Sequence, residues 1–159
     1  MSTRLPITRG RRRPANLAVL MREIYIAANG LVLQRLAERG HGEVRPVHGA
    51  VFQYLDDTGT TVSVLADRAQ VTKQAMAELV GYLETHGYVI RVPHPEDRRA
   101  KLVLPTERGN EVVAIAQDLV PELEHWVETV LGSERAAALR EDLEILWKAL
   151  RRGAVPTSH

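Results

Sequence analysis

The chain has 159 residues, 45% of them apolar and 26% charged, with a net charge of +1, which suits one compact domain of ordinary globular composition. Cysteine is absent, which excludes disulfides, thiolate nucleophiles, thiol redox sensing and Cys-ligated zinc. With one Phe and two Trp, Leu, Val, Ile and Ala must fill the core, which favours a helical fold, and no stretch reads as the roughly 20 apolar residues of a membrane span.

Residues 1–14 read as a flexible basic arm, with Arg4, Arg9, Arg11, Arg12 and Arg13 set between Pro6 and Pro14. They contain no apolar run of the kind a signal peptide needs, and with cysteine absent a cytoplasmic location is expected. From about Asn16 to Arg39 the residues Leu17, Leu20, Ile24, Ala28, Leu31 and Leu36 recur at helical spacing, predicting a long amphipathic helix that Gly40 and Gly42 end. Pro46 suits a first helical turn, and Val47, Val51, Tyr54 and Leu55 predict a second, shorter helix. After a turn at Asp56–Thr60, a short helix spans Ser63–Ala69. Thr72 then caps a further helix running to His86, with Met76, Leu79, Val80 and Leu83 on its inner face. Gly87 stops it.

Tyr88–Val92 and Lys101–Leu104 predict the two strands of a hairpin. Its connecting loop, His94-Pro95-Glu96-Asp97-Arg98-Arg99, is too long for a two-residue turn and should project. Beyond Pro105, the residues Val112, Ala116, Leu119, Leu123, Trp126 and Val130 form a heptad seam, interrupted at Gly132 with Ser133 as an N-cap. The spacing resumes through Leu139, Leu143, Leu146 and Leu150. Residues 153–159 read as a disordered tail.

Charge is segregated along this order. Six bases and no acid precede Glu23, whereas Pro105–Leu150 carries ten acids against four bases. One part of the molecule therefore suits an anionic polymer and another does not.

A short helix, a tight turn and a second helix make a helix-turn-helix, and a hairpin directly after it makes a winged variant. The second helix of such a motif enters the major groove of duplex DNA. Its outward face carries Gln74, Ala77, Glu78, Gly81 and Thr85. Gln reads adenine, Ala contacts a thymine methyl, and Lys73 with Thr72 near the helix start suits phosphate. In the loop, Arg98 and Arg99 suit a narrow minor groove, and Asp97 is expected to orient a neighbouring Arg.

Three ordered segments carry a family resemblance. Leu65-Ala66-Asp67-Arg68-Ala69-Gln70-Val71-Thr72-Lys73-Gln74-Ala75 looks like the helix-turn-helix of MarR (multiple antibiotic resistance) regulators. Leu83-Glu84-Thr85-His86-Gly87-Tyr88-Val89 is similar to their LExxGxV segment. The run from Asp97 to Gly109 resembles their DxRxxxVxLTxxG wing signature. Two positions depart from the pattern: Glu78 stands where many members carry a base, and Pro105 replaces the usual Leu before Thr106.

The resemblance implies a mainly α, winged helix-turn-helix fold with a small β-hairpin wing, dimerising through long N- and C-terminal helices. The expected organisation is a basic arm at 1–14, an N-terminal dimerisation helix at 15–45, a winged helix-turn-helix at 46–110, C-terminal dimerisation helices at 111–152 and the tail. The heptad seams also fit an ordinary intramolecular bundle.

The function implied is sequence-specific DNA binding as a transcription regulator, a repressor acting as a homodimer on a palindromic operator. The DNA-binding residues are then Thr72, Lys73, Gln74, Ala77, Arg98 and Arg99. A small aromatic or phenolic effector is expected to release the DNA, with Tyr25, His48 and Phe52 as lining candidates. No cofactor, metal site or membrane partner is expected, and the absence of a phosphate loop, serine elbow or metal set argues against an enzyme. The alternative is a winged-helix module that contacts protein without reading DNA.

Overall fold

A computed structural model describes residues 16–153. The predicted arm at 1–14 and nearly all of the predicted tail lie outside the described residues. The chain divides into two compact units, Met1–Gly109 and Asn110–His159.

The first unit opens with α1, Leu17–Glu38, whose N-cap Asn16 accepts from the Val19 amide at 3.0 Å. Its apolar residues surround the whole circumference, so the expected amphipathic stripe is absent. Leu36 is buried, while Leu17, Leu20, Met21, Ile24, Tyr25, Ile26 and Leu31 are exposed. By length and composition this 22-residue helix, with an 18-residue window of mean hydropathy 1.3, is apolar enough to cross a membrane, which corrects the opposite expectation. A helix apolar on all sides buries more of itself than this chain alone covers.

A 3-10 turn, Pro46–His48, leads into α2, Gly49–Tyr54. Gly59, at φ +96°, then places the chain so close to the wing that an added Cβ would lie 3.1 Å from Leu102 Cβ. That approach allows a two-residue strand which the sequence did not reveal: β1, Thr60–Thr61, pairs antiparallel with β3, Lys101–Pro105. Arg68 braces the turn, its Nη1 donating to Tyr54 O at 2.8 Å and to Asp56 Oδ2 at 2.9 Å.

Next come α3, Val62–Ala69, and α4, Lys73–Thr85. The link between them bends at Gln70, in the left-handed region at φ 55°. Thr72 Oγ1 accepts from the Ala75 amide at 3.1 Å, the predicted cap. Met76, Val80 and Leu83 are buried; Leu79 is only half-buried. β2, Val89–Pro93, pairs antiparallel with β3 from Val89↔Pro105 to Pro93↔Lys101, giving the sheet order β1-β3-β2. This is a winged helix-turn-helix with a three-stranded wing.

The expected continuous helix after Pro105 is two helices. α5, Glu107–Asp118, gives way to α6, Val120–Leu131, because Pro121 can start a helix but cannot donate within one. α7 spans Ser133–Arg151, with Gly132 at the cap position, so Ser133 is the first helical residue and not the N-cap.

At the start of α5, Thr106 donates its backbone N–H to Tyr88 O at 3.0 Å and its hydroxyl to Gly87 O at 2.6 Å. A Cβ at Gly109 would lie 2.1 Å from Tyr88 O. Helix propensity favours Ala over Gly by about 1 kcal/mol, but overlap with a fixed carbonyl costs about 3 kcal/mol. Gly109→Ala is therefore expected to destabilise, by about 2 kcal/mol net, in urea unfolding; equal or greater stability would contradict the close approach.

Candidate nucleic-acid interface

The start of α4 and the wing loop place their polar side chains in solvent. Thr72, Lys73 and Gln74 are exposed in the first turn, Ala77 is half-exposed one turn later, and Glu78 is exposed beside it. The first-turn amides and the helix dipole favour negative charge at this end. Arg98 and Arg99 are exposed in the turn of the wing loop. Lys73, Arg98 and Arg99 have no ion-pair partner among the described residues.

Asp97 acts on the wing differently from the expected bond to an Arg side chain. Its Oδ1 accepts from the Arg99 backbone N–H at 2.9 Å, which shapes the turn and leaves both guanidinium groups unengaged. His94, which sequence reasoning passed over, closes the other side of the loop. Its Nδ1 accepts from the backbone N–H groups of Glu96 at 3.1 Å and Asp97 at 3.2 Å, and the His94 backbone N–H donates to Ala100 O at 3.1 Å. A histidine two residues before an acidic turn was the available signal for this brace.

The three effector candidates have separate surroundings. Tyr25 is 65% exposed on α1. His48 is buried; its Nδ1 accepts from the Arg45 amide at 3.0 Å and its ring stacks on Tyr82 at 4.6 Å. Phe52 meets Tyr88 edge-on at 6.3 Å. A separate apolar groove of about 600 Å³ lies between α6 and α7, lined by Leu123, Val127, Ala136, Leu143 and Trp147. Among the described residues, no group of three or more His, Asp or Glu is placed to hold a metal ion.

Behind the interface is a polar cluster that the sequence did not reveal. Tyr88 is fully buried, its hydroxyl donating to Glu43 Oε2 at 2.9 Å and accepting from Arg108 Nη2 at 3.0 Å. Arg108 also donates to Glu43 Oε2 at 3.2 Å and Gly40 O at 3.3 Å, and its guanidinium covers the Tyr88 ring at 4.7 Å. Tyr82 donates to Glu43 O at 3.1 Å and stacks on His86 at 4.1 Å. The Glu43 carboxyl is held below its ordinary range, chiefly by its own backbone N–H and then by the Tyr88 hydroxyl. Burial pushes the Tyr88 phenol up.

The fold is that of a winged-helix protein, with exposed cations at the start of α4 and in the wing loop. A model of the MarR family matches residues 44–100, the segment that holds α2 to α4 and the first strand of the hairpin. The chain is 30% identical over 125 residues to the transcriptional activatory protein BadR of Rhodopseudomonas palustris, an alignment covering 79% of this chain and 65% of that protein's length. Among solved structures it is similar to wild-type apo MarR from E. coli, with a TM-score of 0.67 and 20% identity over 84% of this chain and 98% of that one. It also resembles the transcriptional repressor CouR bound to a 23-mer DNA duplex, with a TM-score of 0.65 and 22% identity over 82% of this chain and 92% of that one. At these identities the structural likenesses establish the fold.

His48 gives this region a pH dependence. Burial, then the charges of Arg45 and His86, lower its pKa from 6.5. The unfolded chain therefore takes up the proton first as pH falls, so stability is full above about 6.5 and declines down to the lower folded pKa. Urea midpoints measured between pH 7.5 and 5 are expected to fall more for the unaltered protein than for His48→Gln. Parallel profiles would show that His48 does not titrate in this way.

Proposed function

We propose that this chain is a DNA-binding transcription regulator that reads duplex DNA with α4 in the major groove and the wing in the minor groove. The observation that carries the reading is the pairing of two exposed, unpaired cationic elements on one scaffold: the Thr72–Gln74 start of α4 and the Arg98–Arg99 turn. Gln74 and Ala77 face base edges, Thr72 and Lys73 face phosphate, and Arg98 and Arg99 enter the narrow groove. CouR, of the same fold, is a repressor bound to a 23-mer DNA duplex, which supports a DNA-binding role for this chain.

The working form is a symmetric dimer. Trp126 and Val130 on α6, and Leu139, Leu143, Ile145, Leu146, Trp147 and Leu150 on α7, are exposed together with most of the apolar surface of α1. Exposed apolar area on this scale marks an interaction surface, and a second copy covers it with the same chemistry. This assignment accounts for the apolar α1 without a membrane, and we assign the protein to the cytoplasm. A two-fold dimer reads a palindrome. Seated across adjacent grooves it blocks access to a promoter, so we assign repression, with release by a small aromatic or phenolic effector.

Fluorescence anisotropy with labelled promoter DNA tests the interface. Lys73→Glu is expected to weaken binding at least tenfold while sedimentation still gives a dimer. Arg98→Ala with Arg99→Ala should weaken binding and flatten the salt dependence by about 0.9 in log–log slope per phosphate neutralised. Unchanged affinity in both variants would favour a protein-contacting wing. A monomer in sedimentation of the unaltered chain would reject the dimer. A rise in run-off transcript on adding the protein would reverse the sign of regulation. Failure of a panel of hydroxybenzoates and phenols to raise the DNA Kd would remove the effector.

A further inference from the structure

Arg91 occupies the seam between α4 and β2. It pairs with Val103 across the hairpin, and two residues earlier on the same strand face Val89 is buried against the core. Its side chain crosses onto α4, where Nη2 donates to Ala77 O at 3.4 Å and Nε lies 3.5 Å from Glu84 Oε2. A Cβ built at Gly81 would come within 3.8 Å of the same Nη2. Ala77, Gly81 and Glu84 are spaced by four and three residues, so they form one stripe along the helix. Two small residues leave a lane for the guanidinium, and a carboxylate stands at its far end. No other hydrogen bond or ion pair joins α4 to β2 among the described residues.

We infer that Arg91 is a positioning residue that fixes the angle between the recognition helix and the wing, and so allows both to enter their grooves together. Its donors are turned towards the helix: Nε is fully buried without a hydrogen bond, and the side chain is 29% exposed. That orientation suits a brace better than a phosphate contact. The apolar base of the wing does not need the brace, because Val80, Leu83, Val89 and Val103 are fully buried without its help. Beyond Val89, however, the strand that carries the loop has no other polar tie to the helix. With the angle fixed, helix and wing bind as one rigid unit, and contact by one places the other at high effective concentration. With it loose, each engagement pays again for ordering, and discrimination between sites suffers most. The role in DNA discrimination rests on the proposed function; the role in setting the angle does not.

The absence of cysteine permits clean spin labelling at Glu78→Cys on α4 and Glu96→Cys in the wing loop. Pulsed-electron distance measurements on the free, full-length protein are expected to give a distribution that broadens in Arg91→Gln. Arg91→Lys should broaden it too, because an ammonium lacks the planar fork that reaches two acceptors at once. Glu84→Gln should give a smaller broadening. Urea midpoints of the unlabelled variants establish that each is folded. An unchanged distribution in Arg91→Gln overturns the positioning role. In DNA titrations both Arg91 variants should lose about tenfold in the ratio of specific to non-specific affinity, with the salt slope unaltered. A slope reduced by about 0.9 in Arg91→Gln and restored in Arg91→Lys would make Arg91 a phosphate contact and overturn the inference. If the unaltered protein bound no duplex preferentially, the proposed function would fail, and the distances would still decide whether Arg91 sets the angle.

Discussion

Burial of Tyr88 is the constraint on which the first unit depends. A phenol taken fully out of water must keep its hydroxyl bonded, since an unsatisfied polar group in the interior costs about 1–3 kcal/mol. Glu43 accepts from it and Arg108 donates to it, which brings the segment after α1 and the first turn of α5 to the same point. The backbone carbonyl of Tyr88 imposes the second condition: it accepts from Thr106 and leaves no room for a side chain at Gly109. One residue thus fixes where α4 ends, where the wing begins and where α5 starts.

The same cluster determines how α1 is attached to the helix-turn-helix. Glu43 is bonded through its carboxylate to Tyr88 and Arg108 and through its carbonyl to Tyr82, which lies near the C-terminal end of α4. Tyr82 in turn stacks on His48 and His86, and the Arg45 guanidinium lies 5.2 Å from its ring centre. The segment from Gly40 to His48 is consequently no free linker. It is fastened to the C-terminal half of α4, while the N-terminal half of that helix is left exposed for contact and is tied to the wing at Ala77.

The helix-turn-helix was legible because it is written locally. The inner-face spacing of Met76, Val80 and Leu83, the Thr72 cap and the Gly87 stop each act within a few residues. What was not legible depends on residues far apart in the chain. The two-residue strand β1 has no periodicity of its own and exists because Gly59 brings it beside Leu102. Glu43, Tyr88 and Arg108 are ordinary surface types until the fold gathers them from 65 residues apart. Arg91 reads as one more strand residue unless Ala77, Gly81 and Glu84 are seen as a lane on a neighbouring helix. The heptad seam, by contrast, misled: it continued smoothly through Leu119, whereas Pro121 starts a new helix there. The outer face of α1 misled in another way, since picking out one stripe concealed the apolar residues on every other side.

The overall charge of +1 conceals a division of labour among the cations. Arg68, Arg91 and Arg108 are engaged by Asp56, Glu84 and Glu43 and serve the scaffold. In the second unit Arg140 pairs with Glu124, and Lys148 with Glu144. Among the described residues, Lys73, Arg98 and Arg99 have no carboxylate partner. A cation already paired to its own protein must break that pair before it meets a phosphate, and the gain is reduced by what it gives up. Unpaired cations on a rigid helix start and a braced turn avoid that loss. Glu78 marks the opposite case on the same face: a carboxylate there is repelled by phosphate and satisfied by the amino group of cytosine. In the proposed major-groove orientation, that asymmetry makes the face more selective than a uniformly basic one.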